Sequence, residues 1–275
     1  MHYNAGLIVS AGSAALIDPG PHPDDVAAAA DLAASLGARV ELVLLTHSHW
    51  DHILGPERLP GVPVAAHTSF AATLAAQQEP TLRMIGRWEQ RFGYGREAPF
   101  TPPVITTLLG DGASLTVGDL AFQAIHIPGH AADQLALFEP ASGALWAADT
   151  LSDVEIPFVS DSLDAYEQSL ARLARLPMRA LVPGHGNPTD DPTAIVERLS
   201  ADRAYLAELR ERVAAVLRAG GSLEMAVERC AGMLFREPAA NAAPHRLNIE
   251  SVYIELGGQA DPARVGWVQE GLIDE

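Results

Sequence analysis

Six consecutive residues, His47-Ser48-His49-Trp50-Asp51-His52, constrain this chain of 275 residues more than any other feature. They set three imidazoles and one carboxylate side by side, the nitrogen and oxygen donors that bind zinc. In extended backbone, side chains two residues apart point the same way. His47 and His49 can therefore share one metal ion while Asp51 and His52 aim at another. The segment directly follows Val40–Leu45, a short and nearly continuous apolar run that reads as a strand buried on both faces. The donors then sit in the loop at the C-terminal end of a strand, where open α/β sheets place their chemistry.

Three later residues fall at equivalent positions. His130 follows a strand in Ile127-Pro-Gly-His130, Asp149 ends the strand Leu145-Trp-Ala-Ala-Asp149, and His185 ends the strand Ala180-Leu-Val182 in Pro183-Gly-His185-Gly. The pattern between them alternates. Two strands flank Ser10–Ser13, a helix is expected over Asp24–Leu36, a strand over Pro63–Ala66 and a helix over Ser69–Gln78. Further strands are expected at Leu115–Val117, Leu120–Ile127, Gln134–Phe138 and Ala144–Ala148, then a helix over Ser162–Leu176. This order suits two packed sheets with helices outside, a four-layer αββα sandwich. Residues 79–104, rich in proline and aromatics and partly helical around Met84–Arg91, read as an insertion that forms either a pocket wall or a surface excursion. Beyond residue 190 the pattern is helical: Pro192–Ala219, a helix from the Ser222 cap to about Cys230, and Arg246–Leu256. We therefore expect a first domain over 1–190 and a C-terminal helical region over 191–275.

The succession His-x-His-x-Asp-His, then His, Asp and His, resembles the metallo-β-lactamase superfamily over about residues 5–190. The resemblance implies that His47, His49 and His130 hold one ion, that Asp51, His52 and His185 hold a second, and that Asp149 bridges them. The ions implied are two Zn²⁺ per chain, with iron or manganese as alternatives. Two such ions, partly neutralised by Asp51 and Asp149, would lower the pKa of a bound water to about 7 and so supply a nucleophile at neutral pH. The glyoxalase-II-like and lactonase-like branches carry the similar pattern, so the expected reaction is hydrolysis of a small-molecule ester, thioester or lactone. Asp51 is the expected catalytic group. Phosphodiester or β-lactam hydrolysis, and an iron-dependent oxygenase of the same fold, are the alternatives.

Charge narrows the partners. Against 18 Arg and Lys stand 35 Asp and Glu, for a net charge of −17. A chain this acidic, without a basic run, cannot replace counterions along a nucleic acid or dock on an anionic membrane. No apolar run approaches a membrane-spanning length, and no signal peptide is evident at the start. Together with the single Cys230 this points to a cytoplasmic protein with a small-molecule substrate. The one local concentration of cations is Arg83, Arg87, Arg91 and Arg96, interleaved with Trp88 and Tyr94. Arg87, Trp88, Arg91 and Tyr94 are therefore candidate contacts for a substrate with a carboxylate and an apolar body. The stripe Leu206, Leu209, Val213, Val216 and Leu217 would face either a second copy, giving a homodimer, or this chain's own sandwich. His67 and His126 read as core residues, His22 as near the site, Trp50 as a wedge under the ligand loop, and Asp18 as a hydrogen-bonding anchor for it.

Overall fold

A computed structural model describes residues 3–96 and 98–259. The chain folds into two five-stranded sheets. The first has strands in sequence order: β1 (Gly6–Ser10), β2 (Ser13–Ile17), β3 (Arg39–Leu44), β4 (Val64–His67) and β5 (Thr107–Leu109). The second runs in order from β6 (Ser114–Val117) through β7 (Leu120–His126), β8 (Leu135–Glu139) and β9 (Ala144–Trp146) to β10 (Ala180–Val182). Strands β2 to β5 are parallel, whereas β6 to β9 form an antiparallel meander that β10 joins in parallel.

The period-two alternation of strands sorts the core into layers. Ile17, Leu44, Ala65 and Leu109 of the first sheet meet Leu115, Ala124, Leu135 and Leu137 of the second in one buried cluster. The intervening residues face outward. Val43, Val64 and Ala66 pack against Phe70 and Leu74 of helix α2 (Phe70–Ala76), and Ala14 against Ala33 of α1 (Pro23–Ser35). On the other side Ile125, Phe138, Leu145 and Leu181 pack against α4 (Leu163–Leu173), α5 (Pro192–Arg218), α6 (Leu223–Cys230) and α7 (Ala242–Glu255). The result is the expected αββα sandwich.

Several details differ from expectation. β3 is buried only toward its end, because Arg39 and Glu41 alternate outward and pair at 2.6 Å in solvent. β5 carries no alternation long enough to read, and its Leu108 is exposed. The helix in the insertion, α3, spans Gln78–Phe92, longer than the expected Met84–Arg91, and ends on left-handed Gly93. α7 starts at Ala242, four residues before the expected start. Leu206, Leu209, Val213 and Val216 of α5 are buried against this chain's own second sheet and helices, so the stripe considered for a homodimer is already covered. Among the described residues no helix is long and apolar enough to cross a membrane.

Candidate metal centre

The parallel strands deliver their loops to one rim. The ligand loop leaves β3, His130 follows β7, Asp149 follows β9 and His185 follows β10. Two groups of donors result: His47, His49, His130 and Asp149, and Asp51, His52 and His185, the donor atoms of each lying within 4.8 Å of one another. Asp149 sits between them. Its Oδ2 is 3.3 Å from Nε2 of His130 and of His185, 3.4 Å from that of His52 and 3.6 Å from that of His47. Asp51 Oδ2 is 3.3 Å from His185 Nε2 and 3.5 Å from His52 Nε2.

Hydrogen bonds behind the imidazoles decide which nitrogens face this centre. Asp18 accepts from the Thr46 amide and hydroxyl, both at 2.7 Å, and from His52 Nδ1 at 3.0 Å. Since the Thr46 hydroxyl donates to Asp18, it can only accept from His47 Nδ1, 3.0 Å away. One carboxylate thus engages Nδ1 of both His47 and His52, so that in the neutral rings Nε2 carries the inward lone pair. His130 Nδ1 donates to the Phe158 carbonyl at 3.0 Å. The Ser160 hydroxyl donates to the His130 carbonyl and therefore accepts from His49 Nε2 at 3.4 Å. His49 Nδ1 and His130 Nε2, both with lone pairs inward, then lie 2.9 Å apart.

Two facing lone pairs repel unless a cation lies between them. Among the described residues, the buried Nε2 atoms of His47 and His52 and Oδ1 of Asp149 likewise have no hydrogen-bond partner, an arrangement that costs free energy without a cation. Imidazole with carboxylate suits zinc and its neighbours in the first transition row, so the donor set fits a pair of divalent ions.

The electrostatics divide the imidazoles into two pairs. Burial, then the neighbouring His52, holds the His47 pKa well below the usual imidazole range, and burial with His130 brings His49 down to about 3. Both are neutral, as ligands must be. Burial opposes charge on His52 and His185 too, but carboxylates outweigh it, Asp149, Asp51 and Asp18 around His52 and Glu155 with Asp149 around His185, so both pKa values stand well above 6.5. Burial raises and the surrounding histidines lower the Asp149 carboxyl, and the histidines prevail.

The backbone is strained where it enters the site. Asp18 and Ala148 adopt left-handed φ values of 44° and 48°, a conformation that non-glycine residues hold only under constraint. A Cβ at Gly184 would lie 2.2 Å from Asp149 Oδ1, which explains the glycine before His185.

The other expected residues divide. Trp50 is a wedge as expected, its ring 5.3 Å from that of Trp88, and Trp88 is 5% exposed beside Leu54 and Ile85. Tyr94 meets His22 Nδ1 at 2.5 Å, so His22 joins the aromatic group of α3 rather than the donor cluster. Arg87 is half-buried and Arg91 exposed. The recess beside His130, Asp149 and His185 is walled instead by Ser152, Glu155, Ile156, Pro157, Phe158 and Tyr166. His67 and His126 stack at 4.0 Å away from the donors, and His245 is spent on Tyr205 and the Cys230 carbonyl. Unforeseen were Tyr3, whose ring lies 5.3 Å from His52 and 5.6 Å from His185, and the asparagines behind the ligand loops. One signal existed: Asn241, His245 and Asn248 recur on one face of α7 amid apolar residues.

Known proteins resemble this chain in sequence and fold. Residues 1–185 match the profile of the metallo-beta-lactamase superfamily. A hydroxyacylglutathione hydrolase of Acidiphilium cryptum is 30% identical over 242 residues, 87% of this chain and 86% of that one. The Drosophila melanogaster beta-lactamase-like protein 2 homolog is 27% identical over 202 residues, 70% of this chain and 62% of its own length. For the hydroxyacylglutathione hydrolase of Xanthomonas euvesicatoria the figures are 30% over 183 residues, 66% and 59%. In both of these the chain spans about three fifths of the relative. A metallo-beta-lactamase family protein from Thermus thermophilus superposes with a TM-score of 0.68 at 26% identity, over 94% of this chain and 91% of that one. With a profile match over most of its length, the chain belongs to the metallo-beta-lactamase superfamily.

Proposed function

We propose that the chain is a dinuclear metallohydrolase acting on a carboxylic ester, thioester or lactone of a small molecule. The observation that carries this reading is Asp149 Oδ2, set within 3.3–3.6 Å of four imidazole nitrogens drawn from both donor groups. His47, His49 and His130 would hold one ion, Asp51, His52 and His185 the other, and Asp149 both. When bound, such a pair supplies a water ionised near neutral pH and a Lewis acid for a carbonyl oxygen. Zinc is proposed ahead of manganese because imidazoles outnumber carboxylates in the donor set, with iron as the alternative.

The chain's own groups do the rest. Ile156, Pro157 and Phe158 give the acyl part an apolar wall and keep bulk water from the carbonyl. The Asp51 carboxylate, 5% exposed at the rim, would take a proton from the attacking water and pass it to the leaving group. Arg87 and Arg91 on α3, with Trp88 and Tyr94 near them in sequence, are proposed to meet an acidic group on the far end of the substrate. Unchanged Michaelis constants for acidic and neutral esters in Arg87→Ala and Arg91→Ala variants would remove them from the site. The choice of bond follows the relatives named as hydroxyacylglutathione hydrolases, one of which aligns over most of its length.

The test is a panel of thioesters, lactones, aryl esters and phosphodiesters on zinc-loaded protein, with metal counted per chain. About two zinc ions and turnover of a carbonyl substrate are expected. Turnover of phosphodiesters alone, or one tightly held iron, would overturn the reading.

A further inference from the structure

The loops that carry His130 and His185 are each held from behind by one asparagine, and the two come from opposite ends of the fold. Asn248 lies on α7, with no solvent exposure. Its Oδ1 accepts from the Val159 amide at 2.7 Å, and its Nδ2 donates to the Pro157 carbonyl at 2.7 Å and to the Tyr205 hydroxyl at 2.9 Å. The Phe158 backbone is thereby fixed on both sides, and its carbonyl is the acceptor that orients His130. Two residues beyond Phe158, Ser160 touches His49. Asn4 precedes β1. Its Nδ2 donates to the Pro183 carbonyl at 2.9 Å and to the Gly186 carbonyl at 2.7 Å, and its own amide donates to the Gly184 carbonyl at 2.8 Å. The loop that presents His185 is thus pinned before and after the ligand.

We infer that Asn248 and Asn4 are positioning residues with separate clients: Asn248 sets the affinity of the His47, His49 and His130 group, and Asn4 that of the Asp51, His52 and His185 group. The inference rests on the dinuclear reading. Partners that orient a ligating histidine change metal affinity by about 10- to 100-fold when removed. Here the partner acts one bond further out, on the carbonyl or loop that does the orienting. Because the two asparagines share no hydrogen bond among the described residues, their effects on the two ions are separable. The helical region beyond residue 190 then has a role in the chemistry: through Asn248 it fixes the wall of the first donor group.

The experiment is competition between the metal-free protein and a chromophoric zinc chelator, in two backgrounds that keep one donor group each. With the second group disabled by His52→Ala, Asn248→Ala should weaken the remaining ion about 10-fold or more, and Asn4→Ala should leave it unchanged. With the first disabled by His49→Ala, the pattern should reverse. Both substitutions weakening both ions equally, or neither weakening either, would overturn the inference. If Asn248→Ala does not fold, Tyr205→Phe serves instead: it removes only the hydroxyl that Asn248 donates to, and should weaken the first ion alone, by a smaller factor. A parent chain that binds no zinc would sink the dinuclear reading itself. A parent binding two ions with unaltered asparagine variants would sink this inference only.

Discussion

The carboxylate of Asp18 accepts the Nδ1 proton of His52 at 3.0 Å, with both side chains withdrawn from solvent. The same carboxylate reaches His47 through Thr46, so it sets one imidazole in each donor group. Asp18→Ala should cost zinc affinity at both sites, by about 10- to 100-fold. It should also destabilise the metal-free fold by about 1–3 kcal/mol, because the buried Thr46 amide loses its acceptor. Zinc competition and urea unfolding measure the two effects.

Asp51→Asn should separate chemistry from binding. The amide keeps one oxygen donor but cannot hold the proton for the leaving group. We expect kcat to fall by about 10²- to 10⁴-fold, with a smaller loss of zinc per chain. Parallel measurements of turnover and metal content decide it, and equal losses in both would reduce Asp51 to a ligand.

Gly184→Ala should act on the metal and not on the core. The added Cβ meets Asp149 Oδ1 and the Ala148 backbone, which pushes away the carboxylate proposed to bridge the ions. Zinc affinity should drop about 10-fold or more while the far-ultraviolet circular dichroism of the metal-free protein stays that of the parent.

Arg236 joins the tail to the site wall. It donates to the carbonyls of Ser152 and Glu155 and pairs at 2.5 Å with Asp202, a carboxylate that burial pushes up to about 7. Arg236→Met would leave that carboxylate buried without its partner, at a cost of about 3–5 kcal/mol. Chemical unfolding at pH 8, where the carboxylate must be charged, should show the largest loss, and a lower pH should relieve it.

The stacked pair His67 and His126 predicts an acid-labile element away from the metals. Burial, then His126, lowers the His67 pKa to about 4. A histidine whose folded pKa lies below its unfolded value stabilises the fold above about pH 6.5 and loses that contribution as the pH falls toward 4. The parent should therefore lose more stability than His67→Gln between pH 7 and 4.5 in urea titrations, and equal losses would exclude the pair.

How much of this was legible in the sequence follows from locality. His47–His52 announce themselves because four donors stand within six residues, and a strand needs only a few residues of pattern to place them at its end. The alternation that opens Leu120–His126 and the short apolar run of Leu135–Glu139, buried along its whole length, likewise announce strands, so the sandwich follows from pattern and order. The convergence of His47, His52, His130 and His185 on Asp149 Oδ2 is a product of strand pairing, with β10 against β9 in parallel register, and no local rule carries it. Nor does any rule connect Asn4 to Gly186 or Asn248 to Pro157, which lie 182 and 91 residues apart in sequence. The insertion went the same way: its aromatics suggested a substrate wall, and packing sent Trp88 beneath the ligand loop, because a large apolar ring gains more from burial than from facing a polar cluster. The candidate donors, the layers and the order of the strands were readable from the chain alone, since these depend on residue type and short periods. Folding settled which ring nitrogens are hydrogen-bonded, the place of Asp149 between the two donor groups and the supports behind each histidine, since those depend on hydrogen bonds between segments that only the folded chain brings together.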